Sequence, residues 1–76
     1  MTAKVKIVDA KRVWNSRQGR PRYRVWVRYK RNTFCLVTET NGDISEKFNL
    51  DMCGTLKTIT FKVEDETRRY IMTDIQ

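Results

Sequence analysis

Arg22, Arg24, Trp26, Arg28 and Lys30 occupy every second position of one short segment, with Tyr23, Val25, Val27 and Tyr29 between them. In an extended chain that alternation puts four cations and one indole on a single face. Arginine and lysine neutralise phosphates and release their counterions. An indole gives an unpaired base a stacking plane, at about 1–3 kcal/mol per base. Arg24 and Arg28 are four residues apart, so they bracket Trp26 over about 13 Å, or about two nucleotides of extended strand. Trp14, Arg17, Gly19 and Arg20 add a basic, turn-rich segment just upstream, of a kind that can clamp a phosphate backbone. Arg31 follows directly, and Lys4, Lys6, Lys11 and Arg12 enlarge the positive field without geometric specificity. The competing use of Trp26 is burial beneath a loop or an oligomer partner, with the arginines snorkelling around it. The same residue types are also the usual anchors of protein interfaces.

Other chemistries lack their residues. The chain has no histidine, which removes His-based metal sites, His general bases and the Ser–His and Cys–His pairs. Cys35 and Cys53 are the only cysteines, too few for a structural zinc within one chain. Cys35 falls inside an apolar run and reads as a small buried hydrophobe, with no disulfide expected. Gly19, Gly42 and Gly54 form no phosphate-cradling loop. The acids after residue 38 are scattered and read as solvated charge. No catalytic residue, metal or cofactor is expected.

Charge is divided along the chain. The 76 residues carry sixteen Lys/Arg against nine Asp/Glu, a net of +7. Every Lys and Arg named so far lies within residues 1–38, where Asp9 is the one acid, and the remaining 38 residues are net acidic. Such polarity fits an anionic partner for one face. The alternative is a basic surface that only keeps the protein soluble. A chain this short hides only about 60% of its unfolded surface, so it holds one marginal core. No apolar run reaches the roughly 20 residues of a membrane span, and the first residues lack a signal-peptide core. A cytoplasmic protein is expected, with no membrane partner.

Residues 4–13 read as a β-branched strand in which Val8 breaks the phase of Val5 and Ile7, so a bulge or a switch of face is expected near Asp9. Residues 15–21 form a loop, and pairing should resume after Pro21. Residues 22–30 are the clearest strand. A short turn at Arg31-Asn32 leads into a third strand over 33–38. Ile44 and Phe48 are four apart among polar residues, which fits one or two helical turns, with Thr40 and Asp43 as a weak capping box. The rival there is a hairpin at Asn41-Gly42. Residues 55–64 alternate with Ile59, Phe61 and Val63 inward. A polar turn at 65–68 precedes a last strand over 69–75.

The order β-β-β-α-β-β predicts a mostly β, five-stranded antiparallel barrel of OB-like form, a single domain spanning residues 1–76. In that fold a helix between the third and fourth strands plugs one end of the barrel. Closure also removes exposed strand edges. An SH3-like barrel is the alternative, and it has no helix at that point.

Ser16-Arg17-Gln18-Gly19-Arg20-Pro21-Arg22-Tyr23-Arg24-Val25 resembles a segment of small accessory proteins of viruses infecting actinobacteria, with the pattern Ser-x-x-Gly-x-Pro-Arg-aromatic-Arg-Val. Thr38-Glu39-Thr40-Asn41 and the Val/Thr-rich stretch 59–63 are similar to further segments of that group. The resemblance covers about residues 8–63. It departs at Arg20, where Asn is expected, and in the more basic stretch 23–31. It implies a viral accessory protein in the host cytoplasm and carries over no site residue. Three expectations follow. The first is a non-enzymatic module for single-stranded DNA or RNA. The second is an inhibitor that grips an acidic host protein through Trp26 with Tyr29 or Trp14. The third is a homo-oligomer assembled through barrel edges.

Overall fold

The computed structural model describes residues 1–13, 22–39 and 44–76. Five strands, β1 (Thr2–Val13), β2 (Arg22–Tyr29), β3 (Asn32–Thr38), β4 (Leu56–Val63) and β5 (Tyr70–Ile75), close into a barrel in the order β1-β2-β3-β5-β4. The helix α1 (Ile44–Lys47) and a 3₁₀ turn (Leu50–Met52) lie between β3 and β4. This is the OB-like arrangement, and the helix is the element an SH3-like barrel would lack. The barrel is not wholly antiparallel, because β3 and β5 pair in parallel through Leu36↔Tyr70, Val37↔Ile71 and Thr38↔Met72. The hairpin from β4 places β5 beyond β4, so β5 runs in the same direction as β3 where the barrel closes.

Period-two patterning builds the core. Val5 and Ile7 of β1, Val25 and Val27 of β2, Leu36 of β3 and Ile59 of β4 are all buried. Truncating Ile7 or Met72, neither of which reaches solvent, would cost about 2–5 kcal/mol. That is a large part of the 5–15 kcal/mol of a typical domain. Ile44 and Phe48 sink from the helical segment into the same core, and the Phe48 ring meets Tyr23 edge-on at 5.0 Å. Thr38 is the one buried polar residue among those described, and its hydroxyl accepts the Tyr23 N–H at 3.0 Å.

The helix closes the end of the barrel at Tyr23. The opposite end, where β2 reaches Tyr29, stays open as an apolar cavity of about 530 Å³ walled by Tyr29, Phe34, Phe61 and Tyr70. Val63, expected to point inward with Ile59 and Phe61, reaches only the rim of this cavity and is exposed. No helix among the described residues is long and apolar enough to cross a membrane.

Several local details differ from the sequence reading. The β2–β3 turn is made by Lys30 and Arg31, one residue earlier than expected, with φ of 47° and 69°. With Tyr29 paired to Asn32, this is a two-residue hairpin whose central residues are both left-handed. The right-handed twist of the flanking strands selects that turn, even though neither residue is glycine. Gly54 has φ of +88°, and its N–H donates to the Ile7 carbonyl at 2.7 Å. A Cβ there would meet backbone strain rather than a neighbouring atom. The expected capping box and the rival hairpin at Asn41-Gly42 involve residues 40–43, which lie outside the described residues.

Candidate nucleic-acid interface

The site begins with a bulge. In β1, Lys6 pairs with Arg28 and Ile7 with Val27, and then the register shifts so that Asp9 faces Trp26, Ala10 faces Val25 and Lys11 faces Arg24. Val8 is the extra residue, and it is exposed. One inserted residue reverses the parity of the strand. Lys6 and Lys11, five positions apart, therefore both point outward. Each stands beside an arginine of β2. From sequence alone Lys6 and Lys11 only add to a diffuse field, and the strand register gives them definite places. The signal was available, because Val8 breaks the apolar phase.

The other flank is β3, where Val37 faces Arg24, Cys35 faces Trp26 and Thr33 faces Arg28. The outer surface of β1–β2–β3 is thus a compact patch with Trp26 at its centre. Lys11 and Arg24 lie to one side of it, and Lys6 and Arg28 to the other. With strands about 4.8 Å apart, the patch is about 10 Å wide and about 13 Å long. Trp26 is half-buried, as is Arg24, and Arg28 is exposed. The indole is seated among its neighbours but still reaches solvent.

The cations predicted on β2 are not equivalent. Arg22 Nε and Nη2 both donate to the Thr38 carbonyl at 3.4 Å, tying the start of β2 to the end of β3. Lys30 sits in the turn with its ammonium 5.3 Å from the Tyr29 ring centre. Arg31 shares that left-handed turn. Arg24 and Arg28 remain beside Trp26, and neither forms an ion pair with a described residue. Between described residues, the ion pairs are Lys47–Asp74 at 2.8 Å and Lys62–Glu39 at 3.1 Å. Both carboxylates belong to the acidic half of the chain.

Three expectations need correction or limits. Cys35 is exposed rather than buried, because β3 turns Phe34, Leu36 and Thr38 inward and leaves Cys35 outside. Tyr29 does not share a surface with Trp26, since it faces the interior and walls the apolar cavity. It therefore cannot anchor a partner together with Trp26. Trp14, Arg17 and Arg20 lie outside the described residues.

Fold and patch together define a class: an OB-like five-stranded barrel whose outer β1–β2–β3 surface carries cations around a tryptophan that form no ion pair among the described residues. Comparison with known proteins finds no matching family model, no matching curated protein and no matching solved structure.

Proposed function

We propose that this protein is a non-enzymatic module that binds single-stranded nucleic acid on the outer surface of β1–β2–β3. One observation carries the reading: Lys6, Lys11, Arg24 and Arg28 surround Trp26 on one face, Asp9 is the one described acid among them, and no described carboxylate forms an ion pair with the arginines. A polyanion supplies the missing countercharge, and a base laid on the indole supplies a contact that does not depend on salt. In OB folds generally the surface of the second and third strands is a usual place for oligonucleotides. A single strand suits the patch better than a duplex, because stacking on Trp26 needs an unpaired base.

The test is titration of a Trp14→Phe background with a 12-nucleotide single strand, so that fluorescence reports Trp26. Quenching is expected, together with an affinity that falls as salt rises at about 0.7 log units per phosphate neutralised. Absence of binding at 20 mM salt overturns the proposal. A pull-down from nuclease-treated lysate that recovers a single acidic protein, with no binding to oligonucleotide, would replace it by the protein-interaction reading.

A further inference from the structure

Asp9 is the only acidic residue among residues 1–38, and the β1 bulge sets it directly across from Trp26. A carboxylate in the middle of a surface for polyanions is unfavourable for phosphates. It belongs where the ligand presents donors, which is the edge of a base. We propose that Asp9 is a specificity-determining residue that makes the Trp26 site prefer guanine over the other unpaired bases. This rests on the nucleic-acid reading above and names the ligand of that same site.

Geometry and chemistry support it separately. Residues paired across neighbouring antiparallel strands put their side chains on the same face, with Cβ atoms about 4.5–5.5 Å apart. The Asp9 carboxylate therefore stands beside the indole on which a base would lie. Its Oδ1 accepts the Ala10 N–H at 2.8 Å, which fixes the side chain and leaves Oδ2 and the second lone pair of Oδ1 for a ligand. No described cation pairs with it. Asparagine would hold the bulge equally well through its own oxygen, so the backbone contact accounts for an acceptor here but not for a charge.

Guanine has two adjacent donors on its Watson–Crick edge, N1–H and the N2 amine, which match the two oxygens of a carboxylate. Adenine and cytosine place a ring-nitrogen acceptor beside their amine. Thymine and uracil flank their single N–H with two carbonyl oxygens. Each of these sets a lone pair against Asp9. In a duplex the guanine edge is occupied by its partner, so the preference is confined to single strands.

The experiment compares 12-nucleotide thymidine strands carrying one central substitution. Guanine should bind the wild-type protein about five- to tenfold more tightly than thymine, within the range of a good paired contact to a base. Inosine lacks the N2 amine and should lose most of that gain. 7-Deazaguanine keeps the Watson–Crick edge and should retain it. Asp9→Asn should bring the guanine-to-thymine ratio close to one, with the thymine strand bound somewhat more tightly because a negative charge has left the surface and the guanine strand bound more weakly because its paired acceptor is gone.

The base analogues need no protein variant, so the result stands even if Asp9→Asn lowers the melting temperature. Equal affinity for guanine, inosine and thymine overturns the proposal and leaves nucleic-acid binding intact. A guanine preference that survives in a folded Asp9→Asn protein overturns it as well. Failure of every strand to bind overturns the underlying reading instead.

Discussion

The two sides of this barrel carry the same kind of charge and treat it differently. On the β4–β5 side, Lys62 is tied to Glu39, and Lys47 to Asp74. On the β1–β2–β3 side, Arg24 and Arg28 flank Trp26 without an ion-pair partner among the described residues, and Asp9, across from Trp26, accepts the Ala10 N–H. Exposed ion pairs are worth little, about 0–1 kcal/mol each, so the paired side gains only modest stability from them. What pairing mainly does is cancel the field there. The unpaired side keeps its field and places it around an aromatic ring. A lysine or arginine in this sequence is thus informative only together with its cross-strand neighbour.

The largest break in this comparison should come from the unpaired side. Replacing Arg24 and Arg28 together by Ala is expected to weaken single-strand binding by about 2–3 kcal/mol. It should also lower the slope of log affinity against log salt by about 1.4, at 0.7 per phosphate. Fluorescence titrations at several salt concentrations measure both. An unchanged slope would mean that these arginines do not meet phosphates.

A bulky thiol adduct tests the aromatic centre of the patch. Cys35 is exposed and directly across from Trp26. In a Cys53→Ser background, a maleimide at Cys35 should reduce binding at least fivefold, the value of one stacked base at its lower bound. The salt slope should hardly move, because no cation is lost. Full binding by the modified protein would place the ligand elsewhere.

The paired side should respond far less. Lys62→Ala removes a cation as fully as an arginine variant does, yet nucleic-acid affinity should stay within about twofold and stability within about 1 kcal/mol. Chemical denaturation and the same titration report the two quantities. A loss of affinity matching that of the arginine pair would remove the distinction between the two sides.

The smallest effect concerns pH. The Lys47 ammonium, bonded to Asp74, and then the Ile75 N–H hold the Asp74 carboxyl below its ordinary value. A carboxylate whose folded pKa is depressed stabilises the fold above its unfolded pKa and loses that contribution as pH falls through the folded one. Melting temperatures should therefore decline below about pH 4, and less steeply in Lys47→Ala. Parallel decline in the two proteins would show that the pair does not contribute.

Much of the fold was legible because its strands are short and alternate cleanly. Tyr23 to Tyr29 could scarcely be anything but a strand with one apolar face, and Val8 announced the bulge by falling out of phase. Ile44 and Phe48, four apart, marked the helical plug. Cys35 was misjudged because an apolar run such as Phe34 to Val37 looks buried throughout, whereas a strand can turn only alternate residues inward. The parallel closure of β3 on β5 was not legible either. Parallel pairing joins strands distant in sequence, and it leaves no turn motif between them.

The sequence by itself determined that one basic, aromatic strand face exists and that these 76 residues offer no histidine side chain. Those are properties of composition and of a period of two, and they hold for any fold that keeps the strand extended. Only the tertiary structure decided which cations share that face. Register across β1 and β2 is set by packing Ile7 and Ala10 against Val27 and Val25 on either side of the inserted Val8. That packing carries Lys6, Lys11 and Asp9 to the outside around Trp26. Had Val8 been paired without a bulge, Asp9 and Lys11 would have turned to the inner face while Lys6 stayed outside.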